Sequence, residues 1–394
     1  MPPVRRAVGA LTARPWFRLP RQPMLRHLSY AVVAGVAFYF LTNWLSAFND
    51  YEVGQIAFYA VALAGLTVLT GVNGQISLGH GGFMAVGAFA LGLLYAHTTW
   101  DIVVELAVAT GVSALAGIII GIPATRLRGP YLAGMTLMVA LGLPYITNQY
   151  NNIFGGDQGL QTAAPSGPSD INPEQWLAWV QILAALIVLI LLGNLLRSRF
   201  GRSFRAVRDD EIAASLAGIH VARTKVIAFT ISAACAGLAG ALFVLSAGIV
   251  NSAEFPLALS IYLLAGIVLG GTGSLMGVWW GAIIIVYLPT DWAPSLANAF
   301  HANTLVSANI AIIVFGLVLV VTMLVAPAGI QGGLRWVAGR IGAYLSGGEQ
   351  VTIALPLQMA AEPKGDGGPP GSATPRWPRP GGSGRLENTN RGGN

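Results

Sequence analysis

WLAWVQILAALIVLILLGNLL, residues 176–196, runs for twenty-one positions without an acidic or basic side chain and without polar–apolar alternation. A hydrocarbon core needs about 20 consecutive apolar residues per helical crossing, so this stretch reads as a transmembrane helix. Lipid leaves no water to satisfy backbone groups, and an unbroken run lacks the two-residue period of a barrel strand. Comparable runs recur on both sides of it. Ten candidate segments follow: 29–48, 53–70, 74–96, 102–122, 130–148, 176–196, 226–248, 257–270, 275–290 and 305–325. The expected fold class is therefore all-α, a polytopic integral membrane protein. Composition agrees: 54% of the 394 residues are hydrophobic and 10% charged, against roughly a quarter charged in soluble domains.

Lys and Arg favour cytoplasmic loops. With the N-terminus inside, the external stretches are 49–52, 97–101, 149–175, 249–256 and 291–304. None of these holds a Lys or Arg, yet together they hold Asp50, Glu52, Asp101, Asp157, Asp170, Glu174, Glu254 and Asp291. All 22 basic residues then lie inside, and both termini are expected to be cytoplasmic. The net charge of +6 thereby has a topological explanation, and no nucleic acid is needed to account for it. Residues 1–28 read as a basic cytoplasmic leader, 29–330 as the transmembrane domain with an internal loop at 197–225, and 331–394 as a cytoplasmic disordered tail. Residues 326–340 form a short amphiphilic exit, and 347–394 carry eleven Gly and seven Pro in forty-eight positions, a density that marks disorder. Arg5-Arg6 resembles the start of a twin-arginine signal, but the apolar run begins too late, so an uncleaved first span is expected. The single Cys235 excludes internal disulfides.

Two segments are broken by glycine. One reads Gly71-Val72-Asn73-Gly74-Gln75-Ile76-Ser77-Leu78-Gly79-His80, the other Gly270-Gly271-Thr272-Gly273-Ser274. They look like a degenerate repeat. Paired Gly-broken hydrophobic segments point to a transporter's path, which would be lined by Gly71, Gly74, Gln75, Ser77, Gly79, His80, Gly270, Gly273 and Ser274. Close helix packing through small residues is the alternative. His80 reads more simply as a hydrogen-bonded turn residue than as a proton relay.

The spans are almost bare of charge, which argues against a proton-coupled carrier. Neither lysine, Lys225 nor Lys364, sits in the Gly-Lys-Ser/Thr of a phosphate-binding loop, so the chain does not use ATP directly. No His or acidic cluster supplies acid–base or metal chemistry, and no cofactor or metal is expected. Energy must come from a gradient or a partner. The loop 197–225 favours a partner. Ser203 can cap one helix, and Asp209 with Asp210 can cap a second that ends at Gly218. Ala213 with Ala217, and Ala214 with Gly218, then leave a smooth face for another protein. Arg199, Arg202, Arg205 and Arg208 recur every three residues on roughly one side, facing lipid phosphates or acidic groups.

At these residues the chain resembles the permease subunits of branched-chain amino acid ABC importers, of the LivM type. Glu211, Ala213, Ala214 and Gly218 are similar to that family's ATPase-coupling motif, within a coupling set of Asp210, Glu211, Ala213, Ala214, Ala217 and Gly218. Gly74–Gly79 with His80, the stretch 127–131, the stretch 155–160 and 271–274 follow in the family's order. The resemblance covers about 50–330. It implies a heterodimer with a related permease, two cytoplasmic ATPases, an extracytoplasmic binding protein and a prokaryotic plasma membrane. It implies transport of Leu, Ile and Val, or in some relatives urea or short amides. Members often carry an acid shortly after the equivalent of Thr136-Leu137, whereas this chain continues Met138-Val139-Ala140-Leu141-Gly142, so the substrate stays open. A gradient-driven carrier remains the rival reading.

Overall fold

The apolar runs fold as helices. The computed structural model describes residues 47–345 except 128, 163–170, 293–294, 296–303 and 327, together with positions 35 and 38. The leader 1–28, most of segment 29–48, the stretch 347–394 and the centre of the 149–175 loop lie outside the described residues. Helix α1 (Ala47–Leu66) continues as a π-helix over Thr67–Val72, and α2 (His80–His97), α3 (Ile102–Ala124) and α4 (Pro130–Gln149) follow. Then come α5 (Pro173–Arg197), α6 (Arg199–Asp209), α7 (Glu211–Leu216), α8 (Val221–Ala247), α9 (Leu257–Gly270), α10 (Gly277–Tyr287), α11 (Thr304–Val325) and α12 (Gly329–Leu345).

Six helical stretches among the described residues are long and apolar enough to cross a membrane: Asp50–Val72, Ile102–Ala124, Pro173–Arg197, Val221–Ala247, Ser252–Gly270 and Ile313–Arg340. They account for six of the ten expected segments. Segments 74–96, 130–148 and 275–290 also become helices, of 18, 20 and 11 residues. The fold is not wholly helical. Two-residue strands β1 (Leu160–Gln161) and β2 (Ile249–Val250) pair antiparallel, Leu160 opposite Val250. This pair ties together the loops after α4 and α8, and it is too short for any periodicity to announce.

The tail boundary at 331 needs correction, because α12 is helical to Leu345. Ile330, Leu334, Val337 and Ile341 recur at the helical period, a signal that the local glycine content obscures.

The core of the unit Met1–Ile341 is built around α1 and α8. Helix α1 packs against α5, α8 and α10, while α8 packs against α2 and α3. Small residues set these distances. A Cβ on Gly240 would overlap the Met84 carbonyl, one on Gly237 would overlap Ser113, and one on Gly87 would overlap the Gly237 backbone. Ser113 Oγ donates to the Phe83 carbonyl at 2.8 Å, joining α3 to α2. Helices gain little from hydrophobic attraction inside lipid and associate through such packing and hydrogen bonds. Gly240→Val should therefore strip the chain of monodisperse protein after detergent extraction. A rigid carbonyl cannot yield, so the cost falls at or above the upper end of the about 1–3 kcal/mol typical of overpacking. Gly111→Val, where an added Cβ meets nothing within 4 Å, is the control and should extract normally.

Candidate functional site

Both glycine loops and the arginine-bearing loop gather at one end of the bundle. Ser198 ends α5 and starts α6: its Oγ accepts from the Phe200 amide at 3.1 Å. Ser203 is therefore not the cap. Its hydroxyl donates to the Arg199 carbonyl inside the helix, because the helix starts five residues earlier than expected, capped at Ser198 rather than Ser203. Asp210 breaks away in extended backbone (φ −159°), and its Oδ1 accepts from the amides of Ile212 (2.7 Å) and Ala213 (3.0 Å). That caps α7. Gly218 stops it with φ +83°, and the Ile219 amide donates back to the Ala214 carbonyl at 3.0 Å. A Cβ on Gly218 would meet nothing within 4 Å, so the left-handed backbone is what calls for glycine there.

The expected smooth face changes composition. Ala214 is 4% exposed and turns inward, so it does not share a face with Gly218. Ala213, Ala217 and Gly218 are exposed, and beside them stand Ile212 and Leu216, 68% and 85% exposed. Residues four apart lie on one helical face. An apolar i,i+4 pair in an otherwise charged loop was the signal available in the sequence, overshadowed by the alanines.

The four arginines also separate. Each three-residue step turns about 300°, so four of them fan across half of the helix. Arg202 and Arg205 line one cleft, Arg199 another, and Arg208 donates through Nη1 to the Gly71 carbonyl at 3.1 Å.

That last bond opens a chain of links. Glu211 pairs with Lys225 Nζ at 2.5 Å, where Lys225 is 6% exposed, and the Lys225 carbonyl accepts from Gln75 Nε2 at 3.3 Å. A Cβ on Gly74 (φ +77°) would lie 2.7 Å from Arg208 Cγ, so glycine lets the arginine stem cross the loop. A Cβ on Gly71 would lie 2.6 Å from the Gly273 amide. The two glycine loops thus touch backbone to backbone, and α7 connects to both through Lys225, Gln75 and Arg208.

The segment 74–79 is held on several sides. The Leu78 amide donates to Thr136 Oγ1 of α4 at 3.0 Å, and the Gly81 amide donates to Ser260 Oγ of α9 at 2.9 Å. Ser77 Oγ accepts from the Gly79 amide. His80 is buried with Nε2 2.9 Å from the Ala62 carbonyl of α1, an arrangement that suits the Nε2–H tautomer. Gln75, Ser77, Gly79, His80 and Gly270 are buried, Gly71 and Ser274 half-buried, and Gly74 and Gly273 exposed. Gly270 and Gly277 bring α9 and α10 together through their backbones. No group of three potential metal ligands occurs among the described residues.

Several apolar helices long enough for a bilayer, joined at one end by glycine loops and a capped, outward-facing short helix, define a polytopic membrane permease. The family described as branched-chain amino acid transport system / permease component matches residues 49–323, and the chain belongs to it. The high-affinity branched-chain amino acid transport system permease protein LivM of Escherichia coli K12 is 35% identical over 253 residues, 58% of this chain and 60% of that protein. The corresponding LivH of Salmonella typhimurium LT2 is 28% identical over 307 residues, 72% of this chain and 94% of its own length. The autoinducer 2 import system permease protein LsrC of Klebsiella pneumoniae is 32% identical over 188 residues, covering 45% and 52%. The match thus spans about 60% of the length of the LivM relatives. These relatives are transport permeases, not enzymes. No solved structure matches the chain.

Proposed function

We propose that the chain is the membrane-spanning subunit of an ABC importer for branched-chain or similar hydrophobic amino acids, powered by ATP hydrolysed on partner subunits. The observation that carries this reading is α7: a capped helix of six residues whose Ile212 and Leu216 face outward while its acid reaches Lys225 and, through that residue's carbonyl, the first glycine loop. A helix with an exposed Leu–Ile pair and a mechanical connection inward is suited to receive a push from another protein. A gradient-driven carrier has no use for it. The partners under this reading are a related permease, two ATPases and an extracytoplasmic binding protein, in a prokaryotic plasma membrane with both termini cytoplasmic. The chain should co-purify with two ATPases and, in proteoliposomes, take up leucine, isoleucine or valine only with ATP. Uptake that survives deletion of the ATPases would overturn the reading, and preferential uptake of urea would shift the substrate.

On the same reading the glycine loops border the substrate path and descend from a repeat. Gly74 and Gly273, the second glycine of each pair, share left-handed backbone (φ +77° and +82°), which supports the correspondence. Gly74→Val and Gly273→Val should each abolish uptake while the complex stays assembled, because a β-branched residue strains that backbone. Loss of assembly would instead assign these glycines to packing alone.

The positive-inside pattern carries one more expectation. A reporter fused at Thr99, between α2 and α3, should lie outside, and one at Gly201 inside. The reverse pair of results would invert the topology.

A further inference from the structure

A cleft of ≈ 660 Å³ opens beside α5, α6 and the second glycine loop, and four guanidinium groups line it: Arg197, Arg202, Arg205 and Arg335. They come from α5, α6 and α12, three separate elements. None of the four pairs with a carboxylate among the described residues. Arg205 Nη2 donates to the Leu196 carbonyl and Arg335 Nη2 to Ser274 Oγ, each at 3.2 Å, which leaves most of their donors free. Four like charges around one opening repel one another unless an anion sits among them, and a guanidinium fork matches the oxygens of a phosphate.

The walls say which kind of phosphate. Leu189 and Leu196 line the cleft, and both belong to the span Pro173–Arg197. Leu189 lies eight residues before Arg197, about 12 Å further along the helix axis at 1.5 Å per residue. The cleft therefore runs from a ring of arginines down into the depth of the hydrocarbon. A soluble phosphate leaves that apolar wall empty, and a water-soluble partner protein cannot follow it into lipid. An acyl chain can.

We infer that this cleft holds an anionic phospholipid, its phosphate among Arg197, Arg202, Arg205 and Arg335 and its chain along Leu189 and Leu196. The site stands on the membrane placement alone and is independent of which solute is carried. A lipid seated there touches Gly273 and Ser274, at the edge of the second glycine loop, and so connects headgroup composition to that loop.

The test uses the full chain, in whatever complex it purifies with, and native mass spectrometry in detergent after titration with phosphatidylglycerol or phosphatidylcholine. Phosphatidylglycerol should bind in preference. Arg202→Gln with Arg205→Gln should weaken it about thirtyfold, since each arginine near a membrane surface contributes about a factor of five to the attraction. Arg335→Gln, on a separate helix, should weaken it about fivefold and guards against a local defect in α6. The control, Arg199→Gln with Arg223→Gln, removes charges that line the second cleft and should change nothing. Equal retention of both lipids, or wild-type binding by the double variant, would overturn the site. An equal loss in the control would reduce it to a general basic belt. Displacement of the lipid by millimolar glycerol phosphate would make it an anion site without a chain. Loss of phosphatidylglycerol binding whenever the ATPases are present would give the cleft to that partner instead.

Discussion

Leu216→Asp should, on the proposed reading, abolish uptake and separate the chain from the partner ATPases while leaving it inserted, monodisperse and normally folded. The side chain is 85% exposed on α7, so nothing inside this subunit depends on it. An exposed leucine next to an exposed isoleucine on a capped helix is costly to leave in water, and fully burying such a side chain against a partner is worth about 1.5–3 kcal/mol. Burying an aspartate there without a partner raises the cost. The predicted loss of co-purified ATPase is therefore at least about thirtyfold. Ile212→Asp should behave the same way. Ala214→Glu should not, because Ala214 faces inward: it should damage the folding of α7 itself and lower the yield of extracted chain. ATPase co-purification and yield, measured together, separate the two outcomes. Wild-type association for Leu216→Asp would remove α7 as the docking element.

Glu211→Gln is expected to leave the ATPases attached and yet lower uptake by at least about tenfold. The pair with Lys225 joins α7 to α8, and Lys225 is almost wholly buried, so losing the acid strands a cation. Breaking a fully buried pair costs about 3–5 kcal/mol. Glu211 is partly exposed, and solvent screening brings the figure nearer to about 1–3 kcal/mol. The reversed pair, Glu211→Lys with Lys225→Glu, should recover part of the uptake, and a double-mutant cycle would measure the coupling directly. Strict additivity of the two single variants would show that the pair transmits nothing.

The helices and their order were legible because lipid imposes a crude rule, and runs such as 176–196 and 226–248 obey it without interruption. The capping of α7 by Asp210 and its stop at Gly218 were legible too, since both rest on local backbone chemistry. Long-range geometry was not. Nothing in the spacing of Arg208 and Gly71, 137 positions apart, announces that they meet, and the Gln75–Lys225 bond crosses 150. The i,i+3 arginines misled because a three-residue step is not a full turn. The alanine count concealed that Ala214 points inward while Ile212 and Leu216 carry the exposed apolar surface. Helix α12 was hidden by glycines that disturb composition without disturbing its period.

Where α8 crosses α2, main chain meets main chain at Gly87, Gly237 and Gly240, and Gly237 also closes on the Ser113 side chain of α3. Such a seam has no rotamers with which to absorb a shift, and sliding by even part of a turn would drive a carbonyl into the next helix. On the transport reading proposed above, these three helices travel as one stiff lever, with the non-helical segment 74–79 that leads into α2 as its joint. Spin labels on the lipid faces of α3 and α8 should report one unchanging separation with and without ATP. A pair spanning α7 and α10 should report two.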